Sequence, residues 1–200
     1  MPPIFDHFKT FTDRETTLTP EELQQVWSLA TVKELRRRQP LWAEGEVCRH
    51  KLFVAKGLLR AFCLKSDGSE SILAFSPENS WFTDPESLKD ETPSRLTVEA
   101  IEDTTMLLWT KEHFGRLLET IPALKSYFEK LIVNTLYLSR QRILENISYT
   151  TEEKYREFME SFPDVFQRVP LHMVASYLGV TRETLSRIRQ AQLRQQKVVK

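Results

Sequence analysis

The period of apolar and polar positions changes along the chain. Leu23, Val26, Trp27 and Ala30 share one face at helical spacing. Thr19-Pro20-Glu21-Glu22 precedes them as a capping box. Thr19 caps the first turn, Pro20 sits where no N–H is needed, and Glu22 reaches back to the cap. From about Val32 to Trp109 the pattern becomes short apolar runs punctuated by turn residues. The runs Leu52–Ala55 and Leu58–Leu64, around Lys56-Gly57, predict strands. Ile72–Phe75, Leu96–Ala100 and Thr105–Trp109 predict three more. Asp67-Gly68 is a strong hairpin pair between two of these strands. Short strands with closely spaced turns predict an antiparallel sandwich or barrel.

Helical spacing returns after Thr110 with Phe114, Leu117 and Leu118, and Pro122 interrupts it. From Ala123 to about Ile147 there is neither glycine nor proline, and two apolar stripes run along one long helix. Leu124, Phe128, Leu131, Thr135 and Leu138 form the first; Ile132, Leu136, Ser139 and Ile143 form the second. One stripe can cover the β-region, and the other needs a partner. That arrangement suits a two-stranded coiled coil between subunits, and the seam is assigned to Leu124, Phe128, Leu131, Thr135 and Leu138. The alternative is burial of both stripes within one chain. Ser148-Tyr149-Thr150-Thr151 breaks the pattern. Glu152–Phe162 then reads as a helix with Tyr155, Phe158, Met159 and Phe162 inward, stopped by Pro163-Asp164.

The most specific stretch follows. Pro170 can open a helix whose Val174, Ala175 and Leu178 share a face. Gly179 can end it at positive φ, Val180 fills the gap, and Thr181 caps a second helix in which Leu185 and Ile188 face inward. Small Ala175 and turn-forming Gly179 sit where a helix-turn-helix needs them. The outer face of the second helix carries Arg182, Glu183, Ser186 and Arg187. Arginine can grip the guanine edge with two hydrogen bonds, and glutamate can accept from cytosine N4. Arg182, Glu183 and Arg187 are therefore expected to read bases, with Thr181, Ser186 and Arg189 on phosphates. An ordinary helical hairpin with a solvated charged face is the bland alternative.

The segment Thr181-Arg182-Glu183-Thr184-Leu185-Ser186-Arg187 resembles the recognition helix of the Crp/Fnr family of bacterial transcription regulators. The resemblance covers residues 20–190. It implies an α+β fold: an N-terminal jelly-roll β-barrel of the cyclic-nucleotide-binding type, a long dimerisation helix and a C-terminal helix-turn-helix domain. The domains are expected at 1–122, 123–148 and 149–200. It implies double-stranded DNA, a second copy of the chain and RNA polymerase as partners. It also implies a mechanism in which the sensor or long helix reorients two recognition helices. A member that binds a cyclic nucleotide has a Gly-Glu-Leu turn, then an arginine for the phosphate. Here Thr83-Asp84-Pro85 stands at the turn and Ser94 at the arginine position, with Arg95 one residue late. A one-residue shift in a strand turns a side chain to the other face. Thr83, Asp84, Ser94 and Arg95 are the ligand-site candidates. Cyclic AMP is not assigned, no cofactor is expected, and an effector of unidentified chemistry is left open. The family's two-stranded wing is expected to be reduced or missing, since Arg189 is followed only by residues 190–200.

Composition sharpens this picture. Formal net charge is zero, yet residues 168–200 hold seven Lys/Arg and a single acid, Glu183. A basic end on a neutral chain suits a local nucleic-acid contact. Cys48 and Cys63 are two thiols, too few for a four-cysteine cluster, and the expected compartment is the cytoplasm. No apolar run approaches the roughly 20 residues of a membrane span, and Met1-Pro2-Pro3-Ile4 has no signal-peptide character. Histidines 7, 50, 113 and 172 are scattered, and no hydrolase, zinc-protease or phosphate-loop motif occurs, so no metal site and no enzyme are expected. The competing function is a ligand-binding or scaffold protein whose helix-turn-helix no longer binds DNA.

Overall fold

The computed structural model describes residues 3–198, with side chains through Ala191. Arg194, Lys197 and Lys200 of the basic C-terminal segment, and Met1-Pro2, lie outside the described side chains. The chain divides into two compact units. One is Met1–Ala61 with Phe75–Leu136; the other is Phe62–Ala74 with Tyr137–Lys200.

The first unit begins with α1 (Pro3–Glu15) and α2 (Pro20–Ser28). The capping box forms as its residues require: Glu22 N–H donates to Thr19 Oγ1 at 3.2 Å and Thr19 N–H to Glu22 Oε2 at 2.8 Å. α1 was not expected, although Phe5, Phe8 and Phe11 at intervals of three place one aromatic face inward, and all three are buried.

Strands β1 (Thr31–Leu35), β2 (Pro40–Trp42), β3 (His50–Lys56), β4 (Leu59–Leu64), β5 (Glu70–Ser76), β6 (Ser80–Phe82), β7 (Thr97–Ala100) and β8 (Thr104–Thr110) follow, with the short helix α3 (Pro85–Asp90) after β6. They form two four-stranded sheets, ordered β1-β8-β3-β6 and β2-β7-β4-β5. The expected barrel thus takes the form of two separate sheets. β3 pairs antiparallel with β8 (Phe53↔Leu107) and with β6 (Phe53↔Trp81). β3 and β4, neighbours in sequence, belong to different sheets. The switch uses an irregular register between Val54 and Lys56, then Gly57 at φ +95°. A Cβ on Gly57 would lie 2.5–2.7 Å from Thr104 Oγ1, Asp103 O and Thr104 Cα, so only glycine fits.

α4 (Lys111–Thr120) and the long α5 (Pro122–Ser148) complete the first unit's core. Phe8, Phe53, Leu107, Trp109, Phe114, Leu124 and Phe128 pack in one cluster. The buried Trp109 Nε1 donates to Val26 O at 2.8 Å, which relieves the cost of sinking a polar group there.

The assignment of Leu124 and Phe128 to a subunit seam is corrected here. They are only 2% and 4% exposed, buried against Trp81 and Phe114 of their own chain. Leu131 also packs partly on this cluster, whereas Thr135 and Leu138 are exposed. The first stripe therefore begins as core. The second stays open: Ile132, Leu136 and Ile143 are 65%, 57% and 59% exposed.

The second unit contains α6 (Thr151–Ser161), α7 (Pro163–Arg168), α8 (Leu171–Leu178) and α9 (Arg182–Val198). Pro163 does not merely stop α6; it opens the one-turn-and-a-half helix α7, which suits a residue with fixed φ and no N–H. Tyr155, Phe158, Val165, Val174, Ala175, Leu178, Leu185 and Ile188 form this unit's buried core. Among the described residues, no helix is long and apolar enough to cross a membrane.

Candidate nucleic-acid interface and sensor pocket

α8 starts at Pro170, which takes the extended cap conformation (φ −61°, ψ 148°) one position before the first helical residue. Its end is a Schellman turn. Gly179 adopts φ +71°, Val180 N–H donates to Ala175 O at 3.0 Å, and Gly179 N–H donates to Ser176 O at 3.3 Å. α9 starts as its sequence requires: Thr184 N–H donates to Thr181 Oγ1 at 3.2 Å, the bond that satisfies an otherwise orphaned N–H. Leu185 and Ile188 are buried against Val174, Ala175 and Leu178 as one small apolar seam.

The two faces of α9 then separate cleanly. Thr181, Arg182, Glu183, Arg187 and Arg189 are exposed, and Ser186 is half-buried. Arg187 Nη2 donates to Thr184 Oγ1 at 3.4 Å, and Thr184 Oγ1 lies 3.0 Å from Thr181 Oγ1. Thr184, not singled out by the sequence reading, thus links the cap to one of the arginines expected to read bases. The visible signal was a second hydroxyl three residues after the capping one. The exposed face carries three arginines and a glutamate beside the capped N-terminus of α9, whose dipole adds a favourable field for phosphate.

The ligand-site candidates come together in part. Asp84 caps α3: Ser87 N–H donates to its Oδ1 at 3.2 Å, and Ser94 Oγ donates to its Oδ2 at 2.7 Å. Ser94 is buried and receives Trp42 Nε1–H at 3.3 Å and Leu96 N–H at 3.0 Å. Both Asp84 oxygens are therefore engaged inside the protein. Thr83 turns elsewhere, donating to His50 O at 3.1 Å and lying 3.5 Å from Cys48 Sγ. Arg95 is exposed on the rim of an open pocket of about 370 Å³, which Asp84, Glu86, Ser87 and Thr92 also line. One guanidinium beside two carboxylates makes a mixed-sign wall, ill suited to a buried phosphate. Arg60, buried on β4, is held by Glu99 of β7, with Nε and Nη2 each 2.8 Å from Oε1. The sequence reading missed this pair because neither residue lies in a recognisable motif. Among the described residues, no three His, Cys, Asp or Glu side chains gather as a metal site.

A two-sheet unit, a long helix and a helix-turn-helix recur together in known proteins. Residues 32–121 match the cyclic nucleotide-binding domain family. The chain is 26% identical over 179 residues to the cyclic AMP receptor protein of Thermus thermophilus, covering 86% of this chain and 81% of that protein. It is 24% identical over 183 residues to the nitrogen fixation regulation protein FixK of Bradyrhizobium diazoefficiens, covering 86% and 76%. The structure of FixK2 from Bradyrhizobium japonicum superposes with a TM-score of 0.71 at 23% identity, covering 84% of this chain and 86% of that one. The chain is thus similar to regulators of the Crp/Fnr type in sequence, and its fold is shared with FixK2.

Proposed function

We propose that the chain is a sequence-specific, homodimeric DNA-binding transcription regulator whose sensor unit does not take cyclic AMP in the usual way. The observation that carries this reading is the division of α9: a buried Leu185–Ile188 seam behind an exposed Arg182, Glu183 and Arg187 face. Similarity to the cyclic AMP receptor protein of Thermus thermophilus and to FixK supports it. Two copies joined along α5 place their recognition helices in successive major grooves, roughly 34 Å apart, on a near-palindromic site. The open stripe of Ile132, Leu136 and Ile143 supports pairing along α5, because the N-terminal part of the first stripe, Leu124 and Phe128, is already spent on the core. Residues 1–122 act as sensor, 123–148 as connecting and pairing helix, and 149–200 as DNA reader. An effector acts by shifting the population between arrangements of the two recognition helices.

The test is selection of bound DNA from a random pool, followed by binding isotherms on the selected and a scrambled site. Arg182→Ala and Arg187→Ala should each cost about 1–3 kcal/mol on the selected site and relax preference at one position per half-site. Arg189→Ala should weaken both DNAs alike and flatten the salt slope by about one unit. Equal losses on both DNAs for Arg182→Ala and Arg187→Ala would make these residues electrostatic anchors. No effect from any of the three would leave a structural helix-turn-helix and favour the scaffold reading.

A further inference from the structure

β5 is the edge strand of the sheet β2-β7-β4-β5, so the peptide groups on its outer side lack a strand partner there. In the second unit, side chains supply those partners. Ser176 of α8 donates from Oγ to Glu70 O at 2.7 Å and accepts Ile72 N–H at 3.1 Å. One hydroxyl thus serves residues i and i+2 of the strand as the peptide group of a neighbouring strand would. Arg142 of α5 adds a second tie. Its guanidinium donates to Leu73 O, to Ile72 O at 3.5 Å and to Tyr177 O at 3.2 Å. It also lies over the Tyr177 ring, 3.9 Å from the centroid. Neither Ser176 nor Arg142 belongs to the reading face of α9.

We propose that Ser176 and Arg142 are positioning residues for DNA binding: a latch that fixes the first helix of the helix-turn-helix to the tip of the β4–β5 hairpin. The proposal rests on the DNA-binding reading above. With the latch closed, Arg182, Glu183, Arg187 and Arg189 are all exposed, so the closed form presents the reading face. The latch therefore preorganises the domain. Opening it leaves the contacts to DNA intact but lets α8, and α9 behind it, sample orientations that must be frozen again on binding. Arginine suits the second tie because a flat guanidinium can stack on a ring while its edge N–H groups reach carbonyls; an ammonium cannot do both.

Full-length Ser176→Ala, Ser176→Thr, Arg142→Lys and Arg142→Gln chains would be compared with the wild type on the selected site at several salt concentrations. Amide exchange at Ile72 would be followed in parallel by NMR. Ser176→Ala is expected to lose protection at Ile72 and to bind about 3- to 10-fold more weakly, the worth of one or two hydrogen bonds. The salt slope stays unchanged, because no phosphate contact is lost. Ser176→Thr keeps the hydroxyl and restores both readouts, which separates the latch from general loss of fold; Arg142→Lys weakens binding similarly. Wild-type affinity in both Ser176→Ala and Arg142→Lys overturns the latch while leaving the DNA-binding reading intact. So does an Ile72 amide that exchanges freely in the wild type. A salt slope that falls by about one unit in Arg142→Gln, which removes the charge, makes Arg142 a phosphate contact and likewise overturns it. A wild type that binds no DNA overturns the functional reading and the positioning role together.

Discussion

Replacing Leu136 with lysine should dissociate the proposed dimer while sparing the fold. Leu136 lies on the open stripe of α5 and is 57% exposed in the single chain. Full burial of a leucine side chain is worth about 1.5–3 kcal/mol, so covering the exposed part yields about 1–1.5 kcal/mol per chain. A two-fold seam contains the residue twice, and the loss becomes about 2–3 kcal/mol, before any cost of placing an ammonium in an apolar contact. The dissociation constant should rise by about 30- to 150-fold. Sedimentation equilibrium over a range of concentrations reads this directly, with thermal unfolding under monomeric conditions as the control. Leu124→Ala is the counterpart. Leu124 is 2% exposed in its own chain's core, so truncation should cost about 2–5 kcal/mol of stability and leave the intrinsic pairing surface untouched. An unchanged dissociation constant in Leu136→Lys would refute the argument from open apolar surface. A wild type that is monomeric at about 100 μM would refute pairing along α5 altogether.

Gly57→Ala should destabilise the first unit by about 2–4 kcal/mol, from positive φ plus the clash with Thr104 and Asp103; a thermal midpoint within error of wild type would contradict it. Lys51 is held down to about 8 by burial, with Cys48 pulling weakly the other way; its ammonium lies 5.4 Å from the Phe128 ring centroid. Its folded pKa is lowered, so the unfolded chain binds more protons between pH 8 and 10.5, and this residue's contribution to stability rises with pH across that window. Chemical denaturation at pH 7.5 and 9.5 should show that rise in wild type and a flatter response in Lys51→Met; equal slopes would remove the effect. Calorimetry should find no micromolar binding of cyclic AMP, because the Ser87 N–H and the Ser94 hydroxyl occupy the two oxygens of Asp84 and Ser94 stands where the phosphate arginine would; micromolar binding would refute that account.

The sequence by itself determined whatever depends on local chemistry. The Thr19–Glu22 capping box, the Asp67-Gly68 hairpin, the Gly179 turn and the buried Leu185–Ile188 face follow from residues within a few positions of one another. Period and cap chemistry are local properties, so the helix-turn-helix was legible before any packing was known. The open reading face was legible for the same reason, since a helix fixes which residues share a side. Tertiary structure decided what depends on partners distant in the chain. The two stripes of α5 look equivalent in sequence; only the placement of Trp81 and Phe114 assigns Leu124 and Phe128 to the core. The split of β3 and β4 between sheets depends on how closely Gly57 approaches Thr104, 47 positions away, which no local pattern encodes. Ser94 was readable only as the absence of an arginine. Its burial, its bond to Asp84 and the bond it receives from Trp42 become visible once β2, α3 and the segment before β7 meet. Ser176 and Arg142 carried no sequence signal at all, because a serine in a helix or an arginine on a long one is ordinary until an edge strand lies against it.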